Sequence, residues 1–356
     1  MQYVRKYVPH GELYLKVLNE LGIIECSDSY QVGVTSKTYR FTASYDSKYL
    51  RYQVANEKLK NRISKAHQSL KRRNSKKYSS QNYFLERMNI DPEVYHYIET
   101  TYTEVSSYNY ALSSATRITD GQISYKVDNT AGRFHSNLTN MPKGLRQYVT
   151  INGVHLTSVD VKNCQPYLST IILTNPAKAS EYAESADLKK LLLNLQVRIT
   201  EDVQRYIDLV INGIIYEYLL EEFQKRGLRY QTRDEVKVQV LKILFDINIH
   251  NSKARQVFAD LFPEVHRVFS LVRGKQNGNK FKSYQRYSIL LQRMESHIIL
   301  DVILKQINTE HPEIITVTIH DSIMTSIYTD HVKIVHGIME ENLTRFVGYK
   351  PILKIE

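Results

Sequence analysis

The 356-residue sequence contains no tryptophan, only two cysteines, and no apolar run near the roughly 18 residues that a membrane-spanning helix needs. Cys26 and Cys164 are too few, and too far apart in sequence, for a disulfide scaffold or a zinc ribbon. Met1 to His10 mixes Arg5 and Lys6 with polar and aromatic residues and lacks the apolar core and small-residue cleavage site of a secretory signal, so a cytoplasmic setting is expected. Internal repeats are absent. Acidic residues are in deficit: 37 Asp and Glu stand against 48 Lys and Arg, a net charge of +11, which favours a polyanionic partner, either nucleic acid or an anionic membrane face. What is abundant is tyrosine, at 27 residues, whose rings stack on bases or pack along sugars. The same skew also follows from a codon bias toward Tyr, Ile, Asn and Lys together.

Three regions follow from patterning. Over 1–53, Leu13, Leu15, Val17, Leu18 and Leu21 fall mostly on one helical stripe that Gly22 ends. Short alternating runs at Ile23 to Glu25, Tyr30 to Val34 and Tyr39 to Thr42 then predict a hairpin, compatible with a winged-helix-like module. Over 54–130, Lys58 to Lys77 carries nine basic residues and no acidic one, above Leu59, Ile63, Ala66 and Leu70 at helical spacing. That pattern predicts a helix with a cationic outer face, read either as a phosphate grip or as a merely solvated face. Ser69 to Gln81 reads as a loop and Asp91 to Ser113 as a helix. Over 131–356, a strand at Val154 to Val161 leads into a helix through Leu173. Long helices are predicted at Ala186 to Arg226, Glu235 to Phe262 and Tyr284 to Ile307. Strands at Ile314 to His320 and Ser322 to Tyr328 and a helix at Asp330 to Phe346 complete an α+β pattern whose sheet draws on distant segments.

Two aspartates stand where apolar strands end: Asp160 after Leu156–Val159, and Asp321 after Val317–His320. Singly, each reads as a turn or capping residue. On neighbouring strands they would form a hard-oxygen site suited to Mg²⁺, which uses one or two protein carboxylates with water and phosphate oxygens. Between them, Arg233, Lys237, Leu241 and Phe245 recur at four-residue steps and share one edge of a helix. Its basic end suits a triphosphate and its aromatic end a flat base, although a plain amphipathic helix has the same spacing.

With these residues in view, the sequence resembles the superfamily of family A DNA polymerases and phage-type single-subunit RNA polymerases. Ala131–Arg146 (AGRFHSNLTNMPKGLR) is similar to the T-G-R-L-S-S…L-Q-N-I-P-x-R signature, and Ser158–Ser169 (SVDVKNCQPYLS) to motif A, D-Y-S-Q-I-E-L-R. Arg233, Lys237 and Phe245 match the R-x3-K-x7-Y-G of motif B, and Leu261–Val265 the segment after the fingers helix. Leu290–Ile303 is similar to the Q-G-T-A-A-D-I-I helix, and Thr318–Thr325 (TIHDSIMT) to motif C. The resemblance runs over about 215 residues, from Ala131 to about Leu343. It departs from the DNA polymerase pattern at Gln165 in place of Glu, Phe245 in place of Tyr, Asp246 in place of Gly, and Ser322 in place of the second motif C acid.

The resemblance implies a right-hand palm with an antiparallel sheet and helical fingers, preceded by a thumb-like helical region and the small helix–hairpin module. It implies a template-dependent polymerase, expected to add dNTPs to a primer 3′-hydroxyl without a proofreading exonuclease, in a phage or mobile-element setting. Asp160 and Asp321 would hold two Mg²⁺ ions, with Lys237 as a further catalytic group. Arg233, Lys237, Phe245 and Gln165 would bind the nucleotide, with Gln165 and Phe245 matched to positions that flank the sugar and set ribose discrimination, and Arg133, Gln292 and His320 would bind the primer–template. Lys71, Arg72 and Arg73 would grip duplex phosphates. The expected partners are primer–template nucleic acid and nucleoside triphosphates, with no membrane. Two alternatives stand beside this: a phage-type RNA polymerase or primase, and a non-catalytic nucleic-acid binder with a degenerate palm.

Overall fold

Caps and turn residues cut the chain into shorter elements than its periodicity predicts. The computed structural model describes residues 10–27, 38–45, 47–51, 55–62, 65, 76–245, 252–274 and 285–356. The chain forms two units, Met1–Lys126 with Ser136–His155, and Val127–His135 with Leu156–Glu356.

In the first unit, helix α1 (Gly11–Glu20) precedes strands β1 (Ile24–Cys26) and β2 (Tyr39–Phe41), which pair antiparallel with Ile24 opposite Phe41. These are the expected helix and the outer arms of the hairpin; Tyr30 to Val34 lies outside the described residues. Among the described residues the α1 stripe stays exposed at Leu13, Val17 and Leu21. Residues 57–62 are helical, while Lys71, Arg72 and Arg73 lie outside the described residues. The described end of the expected Ser69 to Gln81 loop is ordered instead. It forms a 3-10 turn at Lys76–Tyr78 and helix α2 (Ser79–Leu85), because burial of Gln81, Phe84 and Leu85 outweighs its polar composition.

Strand β3 (Met88–Ile90) follows, and then two helices where one was predicted, α3 (Glu93–Thr101) and α4 (Val105–Thr119). The break is a cap: Glu104 accepts hydrogen bonds from the backbone N–H of Ser106 and Ser107 at 3.2 and 2.8 Å, starting a new helix. Short strands β4 (Tyr125–Val127) and β5 (Phe134–Ser136) come next, and β6 (Val149–Ile151) pairs antiparallel with β3, Met88 opposite Ile151. Asn152 and Gly153, at φ 53° and 78°, turn β6 into β7 (Val154–Val161), an Asn-Gly hairpin of the kind the right-handed strand twist favours.

The second unit is built on the antiparallel order β8–β9–β7–β10, with β8 at Thr316–Ile319, β9 at Ser322–Ser326 and β10 at Leu353–Ile355. Every residue of β8 and β9 is buried, the threonines and serines included, so these strands are covered on both faces although their sequences, TVTI and SIMTS, mix polar with apolar residues. Helix α5 (Cys164–Thr174) leaves β7 and is buried along nearly its whole length. Its Tyr167 hydroxyl donates to the Tyr349 carbonyl at 2.6 Å, fixing it near the chain's last strand. The long helix expected from Ala186 to Arg226 is three: α6 (Ala186–Leu193), α7 (Glu201–Ile211) and α8 (Ile215–Lys225). Gly213, at φ 67°, ends α7 in a conformation that a side chain would resist. Helices α9 (Arg233–Phe245), α10 (Lys253–Leu261) and α11 (Pro263–Arg273) follow. The helix expected from Tyr284 to Ile307 is α12 (Arg286–Ser296), a π-helical stretch at His297–Ile303, and α13 (Leu304–Glu310). Helix α14 (Thr329–Val347) precedes β10. The architecture is the expected α+β class with an antiparallel sheet.

Candidate active site

Strand register brings the two aspartates together. Asp160 of β7 lies opposite Ser322, the first residue of β9, while Ile319 of β8 also pairs with Ser322, leaving His320 and Asp321 as the two-residue turn between them. Asp321 therefore stands one residue from the partner of Asp160. His320 adopts φ 55°, the left-handed region that non-glycine residues rarely occupy. Asn163, between β7 and α5, has φ 57°.

Electrostatics shows a third carboxylate at the same place. The buried Cys164 thiol is pushed well up, first by burial and then by the charges of Asp321, Glu295 and Asp160. It is an inert neutral group ringed by acids. Asp321 keeps some solvent contact, yet protein crowds its carboxyl and, with the Glu295 charge, pushes it up to about 7, while its own backbone N–H and the Arg133 and Lys237 cations act in the opposite sense.

Glu295, near the end of α12, holds two of the expected site residues. Arg133 Nη2 donates to its carboxylate at 2.8 Å, with side-chain exposures of 19% and 2% for Arg133 and Glu295. Gln165 Nε2, in the first turn of α5, donates to the same Oε2. Burial pushes Glu295 above the ordinary carboxylate range, and Arg133 and Gln165 pull against it. The loop that delivers Arg133 is itself built by Asp128, whose carboxylate accepts the backbone N–H of Thr130, Ala131 and Arg133 at 2.9, 2.7 and 3.0 Å. Gly132 supplies the turn at φ 72°, and a Cβ placed there would come within 4.0 Å of Ser296 Cβ. Arg293 of α12 donates from Nε to the Thr130 carbonyl at 2.9 Å. His135 approaches Asp128 through Nε2 at 3.3 Å and meets the His320 ring edge-on at 5.7 Å.

On α9 the buried face is Val236, Val240, Ile243 and Leu244, so the Arg233, Lys237, Leu241 and Phe245 edge is not the core stripe. Arg233 donates from Nε to Glu217 at 3.0 Å and from Nη2 to the Asn163 side-chain oxygen at 3.1 Å, with its guanidinium 4.9 Å from the Tyr216 ring centroid. Lys237 is exposed, and its charge reaches Asp321. Phe245 lies about 18 Å further along the helix axis than Arg233. Its ring packs 6.1 Å from that of buried Tyr287. The basic end of the edge is thus tied beside the Asp160 turn, and the aromatic end sits elsewhere. Gln292 is half-buried one helical turn before Glu295. Asp160, Asp321, Arg133, Gln165, Arg233 and Lys237 are brought together.

Glu295, Asn163 and Glu217 were not read from sequence as site residues. Glu295 had a signal, as an acid on the apolar face of Leu291, Met294 and Ile298, and a buried carboxylate requires a partner. Asn163 and Glu217 had none. Among the described residues no group of three or more His, Cys, Asp or Glu side chains is placed to hold a metal ion. The two strand-end carboxylates are hard oxygen donors, and the Glu295 charge that adds to burial in raising Asp321 is one that a divalent cation would offset, so the donor chemistry fits Mg²⁺ with water and phosphate completing its shell.

The fold and site define an α+β domain with a carboxylate pair at adjacent strand ends, flanked by Arg133, Arg233 and Lys237. No protein-family model and no curated protein matches the sequence. Among solved structures the chain is similar to the POL domain of Pol1 from M. smegmatis in complex with DNA primer-template and dNTP, at 13% identity and a TM-score of 0.38 over 70% of this chain. It spans about half of that structure, 51% of its length. At that level of likeness neither the fold nor the activity of that protein transfers to this chain.

Proposed function

We propose that this protein is a template-dependent nucleic-acid polymerase that extends a primer 3′-hydroxyl with deoxynucleoside triphosphates. The observation that carries the reading is the convergence of Asp160 and Asp321 at neighbouring strand ends, with the Arg133 and Lys237 charges acting on Asp321. The ordered motif resemblance from Ala131 to Thr325 supports it. In this reading the β8–β9–β7–β10 sheet is the palm and α9 lies in the fingers. Residues 54–130 form the thumb-like region and 1–53 the accessory module.

Asp160 and Asp321 would hold two Mg²⁺ ions. Bound there, the ions would supply the positive charge that favours an ionised 3′-hydroxyl and a pyrophosphate leaving group. Arg233 and Lys237 neutralise the triphosphate, and Lys237 gives a proton to the departing pyrophosphate oxygen. Glu217 and Asn163 fix the Arg233 guanidinium through two hydrogen bonds, which orients it before substrate arrives. Arg133 and Gln292 meet the minor-groove edge of the primer–template, and His320 a primer phosphate. Lys71, Arg72 and Arg73 grip duplex phosphates.

One observation favours a second reading, a ribonucleotide polymerase or primase. Among the described residues Gln165 Oε1 is buried without a hydrogen-bond partner, and a 2′-hydroxyl would satisfy it. The test is primer extension with labelled dNTPs and NTPs on DNA and RNA templates, with and without Mg²⁺. Magnesium-dependent extension lost in Asp321→Asn supports the reading. Duplex binding with no extension under any of these conditions favours the non-catalytic binder.

A further inference from the structure

We infer that Glu295 is the positioning residue that sets the sugar selectivity of this site, by fixing the orientation of the Gln165 amide. The inference rests on the polymerase reading and concerns a residue that reading does not use. Glu295 is buried, lies 130 residues from Gln165 and 162 from Arg133 in the chain, and accepts from both through one oxygen, Oε2. Its charge also acts on Asp321, which places this junction within the carboxylate site.

The consequence is chemical. A glutamine side chain offers a donor and an acceptor, and a free amide turns to suit either a hydroxyl or its absence. A carboxylate accepts only, so Glu295 can engage only the NH₂ side of Gln165. The carbonyl Oε1, buried and without a hydrogen-bond partner among the described residues, is then held on the side away from Glu295. An amide held in one orientation has one volume and one hydrogen-bonding character, and such a group distinguishes sugars that differ by a hydroxyl. A released amide adapts to both. Arg133 serves the same end: its guanidinium donates to the same oxygen and favours the charged, accept-only form of Glu295 against the effect of burial. The π-helical stretch that begins at His297, two residues beyond Glu295, adds a local irregularity of the kind found at functional sites.

The test is the ratio of kcat/KM for a dNTP to that for its matching NTP in primer extension by the full chain. Glu295→Ala should move the ratio toward unity by about tenfold or more, the scale on which one hydrogen-bonding group discriminates. Glu295→Gln keeps an acceptor oxygen but adds a donor that Gln165 Oε1 can accept, so its ratio should fall between those of wild type and Glu295→Ala. Because Glu295→Ala leaves the Arg133 guanidinium unpaired and is at risk of misfolding, Gln165→Glu is measured alongside. It preserves the length of the side chain but sets a carboxylate against Glu295, and it should also move the ratio toward unity. Unchanged ratios in Glu295→Ala and Gln165→Glu would overturn the inference, as would equal losses on both sugars, which denote a purely structural role. Wild-type protein that extends with neither sugar would overturn the polymerase reading and this inference with it, whereas an active wild type with unmoved variant ratios removes only the inference.

Discussion

Among the described residues two hairpin turns of two residues each close antiparallel strands, and they are made of different material. Asn152 and Gly153 join β6 to β7; His320 and Asp321 join β8 to β9. Each turn opens with a residue in the left-handed region, at φ 53° for Asn152 and 55° for His320. Asparagine and glycine take that conformation at little cost, whereas an ordinary side chain gives up about 1–2 kcal/mol. The first turn obeys the local rule and presents no side chain that the site uses. The second breaks it, and places a carboxylate beside the strand partner of Asp160 and an imidazole against His135. Where a local preference is overridden, the retained residues point to chemistry.

The largest effect that would sharpen this contrast comes from the carboxylates. Asp321→Asn or Asp160→Asn should abolish Mg²⁺-dependent extension and spare duplex binding, while Asn152→Ala should leave extension intact. Extension by Asp321→Asn at the wild-type rate would erase the functional distinction between the turns. Lys237→Ala removes a cation that acts on the second turn, and single-turnover extension should slow by about 10²–10³-fold, as for loss of one preorganised electrostatic group. Wild-type turnover would remove Lys237 from the site.

The smaller effects are on stability. A Cβ at Gly153 meets nothing within 4 Å, so Gly153→Ala should cost only the backbone term, about 1–2 kcal/mol in urea unfolding. His320→Gly should do the reverse, stabilising the protein by up to about 1 kcal/mol while slowing extension, because relief of strain is offset by the greater freedom of glycine in the unfolded chain. A destabilised His320→Gly would show that the imidazole contributes packing that outweighs its strain, and would weaken the contrast between the turns.

Much of the second unit was legible in the sequence because its elements are long and locally consistent. The β7–α5 passage, both strands of the β8–β9 hairpin and α14 follow from apolar patterning, and Asp160 and Asp321 stood out as acids at the ends of apolar strands. Helix ends were less legible. The break at Glu104 depends on a side chain reaching two backbone N–H groups, and that at Gly213 on one φ angle; neither disturbs the apolar period on either side. The α1 stripe shows the converse, a helical period whose apolar residues stay exposed among the described residues.

By itself the sequence determined the cationic excess, the helical and extended periods, and the residue types that a phosphate-handling site requires, since each depends on composition or near neighbours. Only the tertiary structure decided which of those residues meet. Gln165 and Arg133 converge on one oxygen of Glu295, at sequence separations of 130 and 162, because α5, the Asp128 loop and α12 are packed together. Arg233 is divided from Phe245 by the length of α9, although both lie on one edge. Periodicity reports a residue's place on its own element. The partner across the core is set by how elements pack, and there a buried carboxylate is stable only where the fold delivers donors to it.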